Sequence, residues 1–351
     1  MSEFQYHDEK EMEDLAHLDE LKSKLPMFVS SYFDGVDKSM TSRTKVAYAR
    51  DFIQFFEYLL HSNPSLIGIE MRKIKPDVLD QITLLDLDEY MKYLSYDKSE
   101  DGKYRKRNQE QSLNRRISSL KSLYKVLYKR GILTTNPAAM LENVKPRQRE
   151  IKRLEPNEVA EMLDYVEGGG GATKRQQVYR QKTKTRDLAI LTLLLGTGLR
   201  VSECVGLNIS NVDFKNNALS VMRKGEKGML LYFGDEVEAA LKAYMEERKK
   251  IQAAEGSEDA LFLSTRRTRL SVRMIETLVK NYGREVTPLK SITPHTFRRT
   301  FGTTLYNATG DIRLTADALG HSDINTTKKF YAAQSDESRR KAARVIKLRE
   351  E

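Results

Sequence analysis

The sequence predicts a mainly α-helical protein of two domains, the second of them α+β with a small antiparallel sheet. Three observations carry that prediction. At 351 residues the chain is long for a single hydrophobic core. Apolar residues recur at helical spacing along most of it, while short strand-like runs are confined to one stretch, Val212 to Phe233. A charged segment with Pro146 and Pro156 and no apolar periodicity separates the halves. The expected boundaries are an acidic leader at 1–24, a helical domain at 25–145, a linker at 146–156 and a second domain at 157–351.

In the first half, 41–60 opens with Thr41 or Ser42 as a cap and places Val46, Ala49, Phe52, Phe56 and Leu59 on one stripe. Arg43, Lys45 and Arg50 fall largely off it. A helix near 83–95 turns Leu84, Leu87, Tyr90 and Leu94 inward, and one near 108–130 aligns Leu113, Ile117, Leu120, Leu123 and Leu127. Pro137 suits the first turn of a short helix. The first 145 residues therefore read as all-helical with one basic side. In the second half "LEPNEVAEMLDYV" restarts helix, and "GGGG" at 168–171 opens a flexible basic loop before the apolar helix "RDLAILTLLL". The strands "VDF", "ALSVM" and "GMLLYF" follow, joined by "KNN" and "RKGEKG". Helices resume at 235–250 and continue with breaks to an amphipathic tail at about 335–351, where Ala342, Val345, Ile346 and Leu348 share a face.

Composition narrows the partners. No run of eighteen apolar residues offers a membrane span, and the N-terminus lacks a signal-peptide core, so a cytoplasmic protein with no membrane partner is expected. The single cysteine, Cys204, excludes an intramolecular disulfide and a cysteine-rich metal site. The net charge is +10, and its distribution says more than its size. Residues 103–130 carry ten Lys or Arg against Glu110 alone, and 174–186 carry six against none. Two such clusters favour a surface that tracks phosphates.

No GxxxxGK[ST] loop, HExxH motif or spaced carboxylate set supports nucleotide or metal chemistry. Any catalysis has to rest on cations, histidines and a hydroxyl, with no cofactor. "GTGLRVSE" places Arg200 at a glycine-interrupted helix start with Glu203 one turn on; alone it reads as a surface ion pair. "RKGEKG" puts Lys224 in a hairpin turn, ordinarily a solvated place. "TPHTFRRTF" gives His295 and Arg298 on one helical face behind the start signal Thr293–Pro294. "ALGHSDINTT" sets His321 after a glycine at a helix boundary.

In this order, behind a basic helical domain, the motifs Arg…Lys…His-x-x-Arg…Gly-His…Tyr resemble those of the tyrosine recombinases, the Xer-type resolvases and the phage and transposon integrases. The resemblance runs from about residue 25 to the end and is most specific in "TGLRVSE", "HTFRRT" and "LGHSDINTT". It implies a core-binding, SAM-like first domain and a catalytic second domain. By that resemblance Arg200 and Arg298 clamp the scissile phosphate, with Glu203 in support, and Lys224 protonates the leaving 5′-oxygen. His295 assists proton transfer at the nucleophile, and His321 donates to the phosphate. The two arginine forks suit a phosphate whose charge grows during attack, and they take the place of a metal. Also implied are cleavage through a 3′-phosphotyrosine bond, a Holliday junction, and a role in chromosome dimer resolution or mobile-element movement. The implied partner is duplex DNA with paired inverted-repeat half-sites, bound by a dimer that becomes a tetramer in the synapse through the C-terminal tail. The expected setting is a bacterial nucleoid. Arg43, Lys45, Arg115, Arg116, Lys121, Lys174 and Arg175 are the expected DNA contacts, with helix 108–130 entering a groove.

One departure stands out. In the family the nucleophile lies nine residues beyond the Gly-His histidine, and here the ninth residue after His321 is Phe330, with Tyr331 tenth. Phenylalanine cannot attack phosphorus. A Tyr→Phe exchange that holds uncleaved DNA is the favoured explanation. A one-residue insertion would make Tyr331 the nucleophile, but it turns the side chain by about 100° on a helix. A naturally inactive DNA-binding relative is the third. As a whole the chain is expected to bind and assemble on DNA without cutting it; a non-catalytic accessory protein and a type IB topoisomerase-like enzyme are the alternatives.

Overall fold

The computed structural model describes residues 5–37, 39–98, 104–145, 152–169, 173–223, 227–321, 323–325 and 327. The chain divides into two units, Met1–Arg149 and Glu150–Glu351. In the first, α1 (Gln5–Lys24), α2 (Ser30–Val36) and α3 (Ser42–Ser62) are followed by α4 (Pro76–Asp80), α5 (Leu84–Ser95) and α6 (Glu110–Lys129). The stripe read from the sequence of α3 is the buried one: Val46, Ala49, Phe52, Phe56 and Leu59 are all within 5% of full burial. Phe52 meets Tyr32 edge-on at 5.0 Å, and Phe55 meets Tyr90 at 5.0 Å. Each such ring buried contributes about 1.5–3 kcal/mol. The start of α5 is fixed by a reciprocal cap, in which Thr83 Oγ1 accepts from the Asp86 N–H at 3.3 Å and Asp86 Oδ2 accepts from the Thr83 N–H at 2.7 Å.

Three expectations for this unit are corrected. The stretch set aside as an acidic leader is α1, which packs on α3 and buries Leu18 and Leu21. Its acidic residues occupy the outer faces and mask a short apolar stripe. The unit is also not all-helical, because β1 (Tyr96–Lys98) and β2 (Tyr104–Lys106) pair antiparallel. The hairpin follows from how α5 ends: Asn108 Nδ2 and the Arg107 N–H take the carbonyls of Leu94 and Ser95 and draw the chain back. Lys45, expected off the stripe, is buried and bonds Asp37 Oδ1 at 2.5 Å.

The second unit contains α7 (Pro156–Glu167), α8 (Lys174–Thr197), α9 (Val201–Gly206), α10 (Asp235–Arg248), α11 (Val272–Val286), α12 (Pro294–Thr309) and α13 (Ile312–Leu319). Between α9 and α10, strands β3 (Val212–Asp213), β4 (Ala218–Arg223) and β5 (Lys227–Tyr232) form an antiparallel sheet in that spatial order. The centre is α8, which packs against α7, α10 and α12. Ala189, Ile190, Leu191, Leu193 and Leu194 are wholly buried, as a helix apolar on all sides requires. Two expectations change here as well. The basic stretch 174–186 is the first half of α8 and not a loop. Residues 152–156, assigned to the linker, belong to this unit: Leu154 is buried and its N–H donates to Thr300 Oγ1 at 2.9 Å. Among the described residues no helix is long and apolar enough to cross a membrane.

Candidate active site

The turn from α8 into α9 begins the site. Gly198 adopts φ +63°, and a Cβ there would lie 2.4 Å from Phe301 Cδ1, so the turn requires glycine on both counts. Its neighbour Arg200 stands at the N-cap of α9. Glu203, nearly buried, accepts from the Arg200 backbone N–H at 2.8 Å and from Arg200 Nη1 at 2.6 Å. One carboxylate thus caps the helix and aims the guanidinium, of whose side chain 42% stays exposed.

Thr293 caps α12 with Pro294 as its first residue, as the sequence signal indicated. One turn in, Arg298 is 4% exposed and bridges two loops: Nη1 donates to the Gly198 carbonyl at 2.5 Å and Nη2 to the Leu319 carbonyl. Arg200 Nη2 donates to the next carbonyl, that of Gly320, at 3.3 Å. The oxygens of Leu319 and Gly320 lie at the C-terminal end of α13, where a helix leaves carbonyls without intrahelical partners and concentrates negative charge. Both forks are therefore anchored on consecutive residues, whose Cα atoms are about 3.8 Å apart. Gly320 ends α13 in the left-handed conformation at φ 60°, and His321 follows with its N–H on the Ala316 carbonyl at 2.9 Å. His321 Nδ1 lies 2.7 Å from Oγ1 of Thr327, a fully buried residue.

His295 lies on the same helix as Arg298, one turn earlier. Partial burial of its ring, and then the charges of Arg299, Arg298 and Arg200, hold its pKa below the ordinary 6.5, although one side of the residue is open to solvent. The neutral imidazole is a proton acceptor near pH 7. Because its folded-state pKa is depressed, the contribution of this group to stability is complete above the unfolded value and declines as pH falls below it. An NMR titration of His295 is expected to give a midpoint below 6.5, moved upward by R299Q; a midpoint at or above 6.5 would contradict the assignment.

Arg200, Glu203, Arg298, His295 and His321 are thus drawn together by hydrogen bonds and shared charge. Lys224, Phe330, Tyr331 and the tail at 335–351 lie outside the described residues. Of the expected DNA contacts, Arg43 and Lys174 are exposed and Lys121 is half-buried, while the side chain of Arg175 is outside the description. Arg115 bonds Asp51, and Arg116 donates to Gln54 Oε1 at 2.9 Å, so both are engaged within the first unit, as Lys45 is. Sequence reasoning missed Thr327, Arg299 and the carbonyl anchors. Thr327 was within the quoted "LGHSDINTT", but backbone oxygens carry no residue signature.

Residues 152–338 match the family described as the phage integrase family. Tyrosine recombinase XerS of Streptococcus uberis is 31% identical over 349 residues, covering 93% of this chain and 97% of that protein. Tyrosine recombinase XerC of Leptospira interrogans is 29% identical over 301 residues, with 86% of each chain covered. Among solved structures, a Tn1549 transposon integrase in complex with transposon right end DNA aligns with a TM-score of 0.65 at 21% identity, over 91% of this chain and 98% of that one. That likeness extends the match in fold across both units.

Proposed function

The chain belongs to the phage integrase family of tyrosine recombinases, and from that premise we propose that it is a site-specific, Xer-like DNA recombinase whose phosphate clamp is built from Arg200 and Arg298. The observation that carries the reading is the anchoring of both guanidiniums on the consecutive carbonyls of Leu319 and Gly320. Two cations so placed match the charge that grows on the non-bridging oxygens of a phosphodiester under in-line attack. A tyrosine hydroxyl forms the new O–P bond and the P–O5′ bond breaks. The departing 5′-oxygen takes a proton from Lys224, while neutral His295 accepts the proton of the nucleophile. His321 donates to a non-bridging oxygen. Reversal with a different 5′-hydroxyl exchanges strands through a Holliday junction, without a cofactor.

The substrate in this reading is duplex DNA with paired inverted-repeat half-sites. Two copies occupy one site and four form the synapse, linked by the tail at 335–351. The errand is chromosome dimer resolution or mobile-element movement in the bacterial cytoplasm, at the nucleoid.

Phe330 fills the slot nine residues beyond His321. With no hydroxyl there, the chain assembles on DNA without cutting it. A second reading, a one-residue insertion, makes Tyr331, the tenth residue beyond His321, the nucleophile. A nicked suicide duplex separates these readings, with the covalent adduct followed on a denaturing gel. An adduct from F330Y and none from the parent chain supports the Phe330 slot. An adduct from the parent that disappears in Y331F assigns Tyr331. No adduct from any of the three overturns strand cutting and leaves a DNA-binding accessory protein. Relaxation of supercoiled DNA lacking paired sites would instead indicate topoisomerase-like activity.

A further inference from the structure

We infer that Thr327 is a positioning residue that selects the tautomer of His321 and makes its Nε2 the hydrogen-bond donor; this rests on the reading of His321 as a donor to the scissile phosphate. The contact is His321 Nδ1 to Thr327 Oγ1 at 2.7 Å, and Thr327 is fully buried. A neutral imidazole carries one N–H and one lone pair, and the bond made by one nitrogen dictates the state of the other. A hydroxyl can donate to Nδ1 or accept from it, and the reading of Nε2 as the donor to the phosphate fixes the first arrangement, in which Thr327 Oγ1 donates to Nδ1 and the ring proton resides on Nε2. In the opposite arrangement Nε2 presents a lone pair, which a phosphate oxygen repels. A neutral ring donating through Nε2 adds no further cation beside Arg200, which is already bonded to the carbonyl preceding His321.

The local chain holds the two residues in register. Gly320 turns left-handed, the His321 N–H is tied to the Ala316 carbonyl, and Asp323 Oδ1 accepts from the Asn325 N–H at 2.9 Å. Thr327, six residues on, meets the ring at Nδ1. The arrangement parallels the general rule that a polar partner on one nitrogen of a functional histidine orients the other.

The test uses the full chain labelled with 15N-histidine. His321 is one of five histidines, and its long-range imidazole correlations are assigned by their absence in H321Q. The parent and T327S are expected to show protonated Nε2 and unprotonated Nδ1, while T327V, which keeps the shape and loses the hydroxyl, shows a shift toward the other tautomer. Protonated Nδ1 in the parent, or identical spectra for parent and T327V, overturns the inference; T327A replaces T327V if the latter does not fold. In whichever chain forms the covalent adduct, T327V is expected to slow its formation about ten- to hundredfold with DNA affinity unchanged, and T327S to restore it. An unchanged rate in T327V overturns the positioning role. Absence of adduct from every chain sinks the recombinase reading instead, and the tautomer spectrum, which needs no DNA, still decides the Thr327 assignment.

Discussion

Replacing Arg298 by alanine is expected to lower stability by about 2–4 kcal/mol and to slow adduct formation by about a thousandfold in the chain that cuts DNA. The two losses share a cause. The guanidinium is 4% exposed and joins the carbonyl of Gly198, at the end of α8, to that of Leu319, at the end of α13. Truncation leaves both oxygens short of a donor and opens a cavity between the α8–α9 turn and the segment bearing His321. R298K keeps the charge, but a single ammonium cannot reproduce the fork that spans both carbonyls, so it should recover part of the stability and little of the rate. Arg200 supplies the contrast. Its side chain is 42% exposed, and the nearly buried Glu203 would still accept from the backbone N–H at position 200, so R200A should slow the reaction comparably and cost less stability than R298A. Denaturant midpoints with unchanged slopes and single-turnover adduct rates measure the two effects. An R298A chain as stable as the parent, or an R298K chain of parental rate, would remove the bridging role.

Much of the fold was legible because helical periodicity is a local property. The stripe of α3, the boundaries of α5 and α6 and the Thr293–Pro294 start of α12 were all readable from neighbouring residues. The misreadings arose where composition stood in for structure. Acidic residues hid Leu18 and Leu21 in α1, and the charge-rich YDK and YRK segments concealed a hairpin whose return is set by Asn108. Lys45 looked solvated because one lysine near a stripe edge does not reveal Asp37.

The site was legible in a different way. Arg200, His295, Arg298 and His321 were found by motif and order, which say what is present but not what holds it. The support is largely main chain: the carbonyls of Gly198, Leu319 and Gly320 orient the two forks, and each becomes available only once a glycine turn or a helix end is in place. Arg299 escaped notice beside Arg298, although its charge adds to burial in lowering the pKa of His295. Burial and that charge act in the same direction, keeping His295 neutral and able to accept a proton.

The basic cluster at 174–186 leads to the second large effect, an expected loss of about 3–5 kcal/mol in D187A. Arg186, counted in that cluster as a surface cation, is 8% exposed and donates through Nε and Nη2 to Asp187 Oδ1 at 2.9 and 2.7 Å. Asp187 is 3% exposed and also accepts from Thr183 Oγ1 at 2.9 Å and from the Tyr282 hydroxyl at 3.1 Å, which ties α8 to α11. Arg180 beside it is inward too, with its guanidinium 4.8 Å from the centre of the Tyr282 ring. Removing the carboxylate leaves a buried guanidinium bonded to the Leu263 carbonyl but without its counter-charge, and deprives two hydroxyls of their acceptor. D187N retains one acceptor and turns an amide toward cations, so it should fall between D187A and the parent. The paired change R186M/D187L removes both charges at similar volume and should regain most of the loss, because the cost lies in the stranded charge more than in the missing bond. Chemical unfolding followed by circular dichroism decides the matter: if D187A loses less than about 1 kcal/mol, or if R186M/D187L is no better than D187A, the network is not what fastens α8 to α11.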